Sequence, residues 1–174
     1  TTDSTVMDVT ADLAEGGSMT ITYAAEDLDD SWDAASAVSI VCDETRIEAE
    51  GEGVSVDGST VTIHKAGTYV VSGVLQDGQI LVDAGKDDVV RIVLAGAERS
   101  NSRTAPICGL QSGKIILTLA AGTENSVSDA SAYVYASAEE DEPNAAVFSK
   151  DDLVINGTGS LLVNGNYECG IRSK

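Results

Sequence analysis

The chain has 174 residues, room for one domain or part of a longer array, and its 10 basic and 29 acidic side chains leave a formal charge of −19. That balance excludes the basic footprint by which proteins hold nucleic acid or anionic membranes, and no apolar run approaches a membrane span. A disordered acidic tail is excluded as well, because 43% of the residues are apolar, enough to build a core.

Only seven residues are aromatic and two are proline, against seventeen glycines, and helical periodicity is almost absent. Val, Ile, Thr and Gly dominate, so the expected class is all-β. The first strands fall in MTITYA (Met19 to Ala24) and AVSIVCDETRIEAEG (Ala37 to Gly51). Between them, Glu26-Asp27-Leu28-Asp29-Asp30-Ser31-Trp32-Asp33 lacks the sixth-position glycine and twelfth-position glutamate of an EF-hand loop. Residues 1–50 therefore read as an N-terminal β cap, with Trp32 covering the end of the core or, alternatively, stacking on a sugar. The opening Thr1-Thr2-Asp3 reads as a trimmed start.

From Val54 a rhythm begins: strands of four to six residues punctuated by Gly58, Gly67, Gly73 and Gly78. His64, the only histidine, has no partner for catalysis or metal ligation, and a solvated corner is expected. The stretch Ile80-Leu81-Val82 parallels Ile107-Cys108-Gly109 at an offset of 27, and Gly96 parallels Gly122 at 26. Lys86-Asp87-Asp88 returns as Lys150-Asp151-Asp152, with Lys114 at the matching corner between them. In the tail, Phe148-Ser149-Lys150 returns as Arg172-Ser173-Lys174 at an offset of 24. Short strands repeating at such a period predict a right-handed parallel β-helix over residues 51–174, interrupted by an insertion at about 128–145 and continuing beyond Lys174 into C-terminal coils. The cysteines Cys42, Cys108 and Cys169 match no zinc or redox spacing and read as small buried residues.

Stacked corners place Asp87, Asp151 and Asp152 in or near a column, where Ca²⁺ between coils would relieve their repulsion; Lys86, Lys114 and Lys150 are the alternative neutralisers. Asp141, in the acidic run Glu139 to Glu142, could form a second oxygen cage with Asp129 or Asn144, or be plain solvated loop charge. Tyr133 and Tyr135, two apart, share one face as a platform for sugar rings or as staples for the insertion.

The runs VTIHKAGTYVVSGVLQDGQILVDA, APICGLQSGKIILTLAAGTENSVSD and, most specifically, EPNAAVFSKDDLVINGTGSLLVNGNYECGIRSK resemble the clostridial-type carbohydrate-binding β-helix proteins over residues 25–174. The resemblance implies a pectate-lyase-like shape, surface calcium, an extracellular or bacterial cell-surface location, and binding of plant cell-wall polysaccharide, acidic pectin or cellulose. A monomer without catalysis is expected. Lyase activity would need a base such as Arg99, Arg103 or Arg172 beside a groove, and an adhesive stalk that binds no glycan is the third alternative.

Overall fold

The computed structural model describes residues 6–12 and 16–174; Thr1 to Asp3 lie outside the described residues. Strands β1 (Val6–Asp12) and β2 (Ser18–Ala24) pair antiparallel in a two-stranded sheet of their own. A single helical turn, α1 (Ala25–Leu28), follows. The hairpin β3 (Val38–Glu44) and β4 (Arg46–Glu50) turns at Glu44, whose φ of 55° lies in the left-handed region. A second hairpin joins β5 (Val54–Asp57) to β6 (Thr60–Ile63) through Gly58 at φ 57°.

The remaining strands stack in parallel. They are β7 (Gly67–Leu75), β8 (Gln79–Asp83), β9 (Val89–Ser100), β10 (Ile107–Gln111), β11 (Lys114–Leu119), β12 (Glu124–Ser128), β13 (Ala145–Ser149), β14 (Asp152–Gly157), β15 (Ser160–Asn164) and β16 (Cys169–Ser173). Three ladders result. The first runs β7–β9–β11–β14 and the third β8–β10–β13–β16. The second uses the C-terminal halves of β7 and β9, followed by β12 and β15.

The pairing corrects the expected right-handed parallel β-helix. The strands divide between two mixed sheets, of eight and six strands, and no closed solenoid is formed among the described residues. Repeat offsets fix which strands lie beside one another, and here they do so in register: Ile80 pairs Ile107, and Phe148 pairs Arg172. They do not fix how the chain closes. The antiparallel pairs β3–β4 and β5–β6 terminate both sheets on one side, because tight turns at Glu44 and Gly58 return the chain on itself. Trp32 keeps 36% of its surface exposed, so these hairpins, rather than that ring, finish the end of the core.

Alternation along the strands fills the core. Ile80, Ile107 and Val147 point inward from the third ladder, Ile92, Ile115 and Leu117 from the first, and Leu75 and Val127 from the second. Full burial of each such side chain is worth about 1.5–3 kcal/mol. Gly73 marks the bend in β7 where the first ladder gives way to the second. Its φ is 78°, and a Cβ there would stand 2.1 Å from the Cys42 carbonyl oxygen, so no other residue fits.

Candidate functional site

Each ladder also has an outward row, and what lies on that row decides what the surface can bind. On the first ladder Arg91 pairs Ile116, and Thr118 pairs Asn156. Val93 and Ile116 face away from the core yet are fully buried. Crossing this surface is the acidic segment 25–29. Lys114 Nζ donates to Asp27 Oδ1 at 2.7 Å and Glu26 Oε1 at 3.1 Å. Arg91 donates to Thr118 Oγ1 at 2.8 Å, Thr118 to Asn156 Oδ1 at 2.7 Å, and Asn156 Nδ2 to the Asp27 and Asp29 carbonyls at 3.0 and 3.2 Å. Burial alone would lower the Lys114 pKa, but the hydrogen bonds to Asp27 and Glu26 and their charges raise it. The EDLDD stretch is thus a strap over the first ladder.

The third ladder is covered by segment 129–144. Cys108 and Phe148 point away from the main core and, with Ala105 and Ala145, form a second apolar cluster against which Tyr133, Leu81 and Cys169 pack. Tyr133 donates its hydroxyl to Asp129 Oδ2 at 2.7 Å, and its ring stacks on Tyr167 with centroids 4.7 Å apart. Tyr135 donates to the Pro143 carbonyl at 2.9 Å. Burial pushes the Tyr133 hydroxyl far up, with the Asp129 hydrogen bond adding to it; burial and then Tyr167 push Tyr135 up to about 12. Burial also raises the Cys108 thiol to about 12, leaving it a packing group.

The second ladder carries an open groove of about 510 Å³, whose wall residues include Val74, Glu98, Glu124, Ser126, Ser160 and Leu162. Register builds it: Val74 pairs Glu98, Glu98 pairs Ser126, Ser126 pairs Leu162, and Glu124 pairs Ser160. Its floor is riveted by Asn125, which is 4% exposed. Asn125 Oδ1 accepts from the Gly96 and Ala97 N–H groups at 3.0 and 2.9 Å, and its Nδ2 donates to the Ser160 carbonyl at 3.0 Å. The chemistry on offer is two carboxylates and two hydroxyls beside two aliphatic side chains. That set suits polyols: oxygens for hydroxyl groups, apolar surface for C–H faces.

The residues singled out in the sequence fall elsewhere. Asp129, 5% exposed, accepts from Tyr133 and from the Asn166 N–H at 2.5 Å, so it anchors the covering segment. Asp151 Oδ2 accepts from the Ser112 N–H at 2.8 Å, and Asp88 Oδ2 from Gly85 and Ala66 at 2.9 and 3.2 Å, each closing a corner. Register makes Asp88, rather than Asp87, the equivalent of Asp151, since Val89 and Asp152 both pair Lys114. These two corners lie on either side of the β11 step, about 9–10 Å apart at sheet spacing, and each commits its Oδ2 to backbone N–H groups. Asp87, Asp141 and Asp152 are exposed. Among the described residues no three His, Cys, Asp or Glu side chains converge as metal ligands. The corner carboxylates thus serve their own backbone turns, and no ready-made calcium cage stands at these corners among the described residues.

Tyr133 and Tyr135 do meet, with centroids 6.2 Å apart, but Tyr133 has one face against Tyr167 and its hydroxyl committed, so it staples the segment rather than standing as a free platform. Arg99, a lyase candidate, is 1% exposed and bound to backbone carbonyls in the core. Arg103 lines a separate polar depression with Asp77 and Gln79. His64 is exposed and 2.8 Å from Ser55 Oγ, the solvated corner expected. Cys42 and Cys108 are buried and Cys169 half-buried, all three free. The groove residues were not singled out in the sequence. Their only signal is alternation in AERS, ENSVS and SLLVN at matching ladder positions.

A family model of carbohydrate-binding domain-containing proteins matches residues 57–174. A carbohydrate-binding domain-containing protein of Acetivibrio thermocellus is 40% identical over 133 residues, covering 76% of this chain and 46% of that protein. The solved structure of a polysaccharide lyase-like protein from C. thermocellum, in its gadolinium derivative, superposes with a TM-score of 0.77 at 38% identity, over 79% of this chain and 56% of that one. The chain thus spans about half the length of these relatives. A family match over most of the sequence leaves one assignment: the chain belongs to the carbohydrate-binding domain-containing family.

Proposed function

We propose that the protein binds polysaccharide without catalysis through the open face of β9, β12 and β15. The observation that carries this is the division of surfaces: the strap lies over the first ladder and segment 129–144 over the third, while the second keeps its groove open. Cell-wall polysaccharide outside the cell is the ligand we favour. A neutral glucan such as cellulose suits the groove better than acidic pectin, because Glu98 and Glu124 line it and no Lys or Arg does. The lyase-like description of the structural relative favours catalysis, but a base must reach its proton, and none of Arg99, Arg103 and Arg172 lines the groove.

The test is retention on insoluble cellulose, with calcium and with chelator, for the wild type and for Ser126→Trp, which fills the groove at a half-buried outward position. The expected result is equal retention in both buffers for the wild type, and a loss of about tenfold or more, near 1.4 kcal/mol, for the variant. Undiminished retention of a folded Ser126→Trp protein would refute this face. Retention that needs calcium would overturn the cation-free reading.

A further inference from the structure

The register of the open face places Glu98 and Glu124 as diagonal neighbours, since Glu98 pairs Ser126 and Glu124 stands two residues before it. Their Cβ atoms are then about 7–8 Å apart. Both side chains are exposed, and among the described residues neither carboxylate makes an ion pair or a side-chain hydrogen bond. Carboxylates elsewhere do take partners: Asp27 has Lys114, Asp129 has Tyr133, Asp151 has the Ser112 N–H. The nearest base in sequence, Arg99, points the opposite way into the core, and Arg91 and Lys114 serve the strap on another face. So the groove presents two exposed negative charges and no positive one of its own, with only the buried Arg99 behind it near enough to feel Glu98.

We infer that Glu98 and Glu124 make this face select glycans by charge, taking a polysaccharide with free amino groups over a neutral one and rejecting uronates. The inference rests on the binding role proposed above and names its ligand class. A protonated amino group on a sugar ring donates to either carboxylate, and a charge-assisted hydrogen bond is about twice as strong as a neutral one. A uronate carboxylate in the same groove meets like charge, with no donor to offset it. The diffuse field of a −19 chain acts in the same direction, so the test must separate the two.

Retention at low salt is compared on highly deacetylated chitosan, on cellulose and on immobilised polygalacturonate, in mildly acidic buffer that keeps the amines protonated. Three proteins are used: wild type, Glu98→Gln/Glu124→Gln, and a control, Asp57→Asn/Asp83→Asn, whose exposed carboxylates lie on the six-stranded sheet, off this face. Each double variant removes only two of 29 acidic side chains, so a diffuse attraction responds to both alike. The expected order for the wild type is chitosan, then cellulose, then polygalacturonate. The chitosan-to-cellulose ratio should fall about tenfold in the groove variant and hold in the control. Equal falls in both variants would overturn the inference, as would polygalacturonate retention matching that of cellulose. Retention on cellulose with no gain on chitosan sinks the inference alone, whereas retention on none of the three sinks the proposed function with it.

Discussion

Arg99 sits where a hydrophobic residue is expected, in the inward row between Leu75 and Val127. It has no carboxylate partner. Its Nη1 donates to the Gly73 carbonyl at 2.7 Å and to the Glu98 carbonyl at 2.8 Å, and Nη2 donates to Ser72 at 3.0 Å, while Nε has no partner. Burial lowers its pKa, offset in part by Cys42 and Glu98. Replacing it by methionine keeps an apolar stem and removes the donors. Hydrogen bonds to a charged group contribute about 1.5–3 kcal/mol each, and a buried carbonyl left without a donor costs about 1–3 kcal/mol. Against this, several kcal/mol of guanidinium desolvation disappear. Because Ser72 and Gly73 stand at the bend of β7, where the ladder register shifts, we expect the lost donors to outweigh the relief, with Arg99→Met destabilising by about 2–4 kcal/mol. At roughly 2–4 °C per kcal/mol for a domain of this size, the midpoint should fall by about 5–15 °C. Thermal unfolding followed by far-UV circular dichroism reads it. A midpoint equal to or above that of the wild type would show that the charge is dispensable and refute the account of the bend.

Two other contacts make independent predictions. Tyr133→Phe should cost about 1–2 kcal/mol by stripping a donor from buried Asp129. Because the folded pKa of Tyr133 is raised, its contribution is full below the ordinary tyrosine value of about 10 and is lost as pH climbs through the folded value. Ultraviolet titration should therefore show more tyrosine resisting ionisation above about pH 10 in the wild type than in the variant; a wild type whose tyrosines all ionise near the ordinary value would exclude the contact. Lys114→Met should free the strap, seen as faster proteolysis between Asp29 and Trp32 with little change in midpoint. In the wild type the anchor is fully present below the ordinary lysine value of about 10.4 and is lost as pH climbs through the raised folded value of Lys114. Cleavage at the wild-type rate in Lys114→Met would show that the strap does not depend on this lysine.

Strand neighbours were legible because a ladder writes itself into sequence as a repeated phrase: Phe148-Ser149 against Arg172-Ser173, and Ile80 against Ile107, are direct partners. The triplets were read one residue out of phase, since Lys-Asp-Asp looks the same whether its second or third member closes the corner. Closure was not legible. The hairpins at Glu44 and Gly58 alternate like any half-buried strand, and alternation does not tell parallel from antiparallel. The site was hidden for a related reason. Glu98, Ser126 and Leu162 are legible as outward residues, but so are Arg91, Thr118 and Phe148. Only the docking of segments 25–29 and 129–144 separates the covered rows from the open one.

The strap also bears on the order of events in folding. Asn156 reaches the carbonyls of Asp27 and Asp29 across 129 and 127 positions of sequence, and Lys114 reaches Asp27 across 87. No residue of α1 is buried, so nothing apolar recruits the segment early. Its docking surface exists only once β9, β11 and β14 lie side by side, and closing so long a loop gains little until they do. A segment that precedes all three strands of its docking surface is thus among the last to settle. Substitutions in it should alter how fast the finished protein comes apart while leaving the rate of its formation nearly untouched.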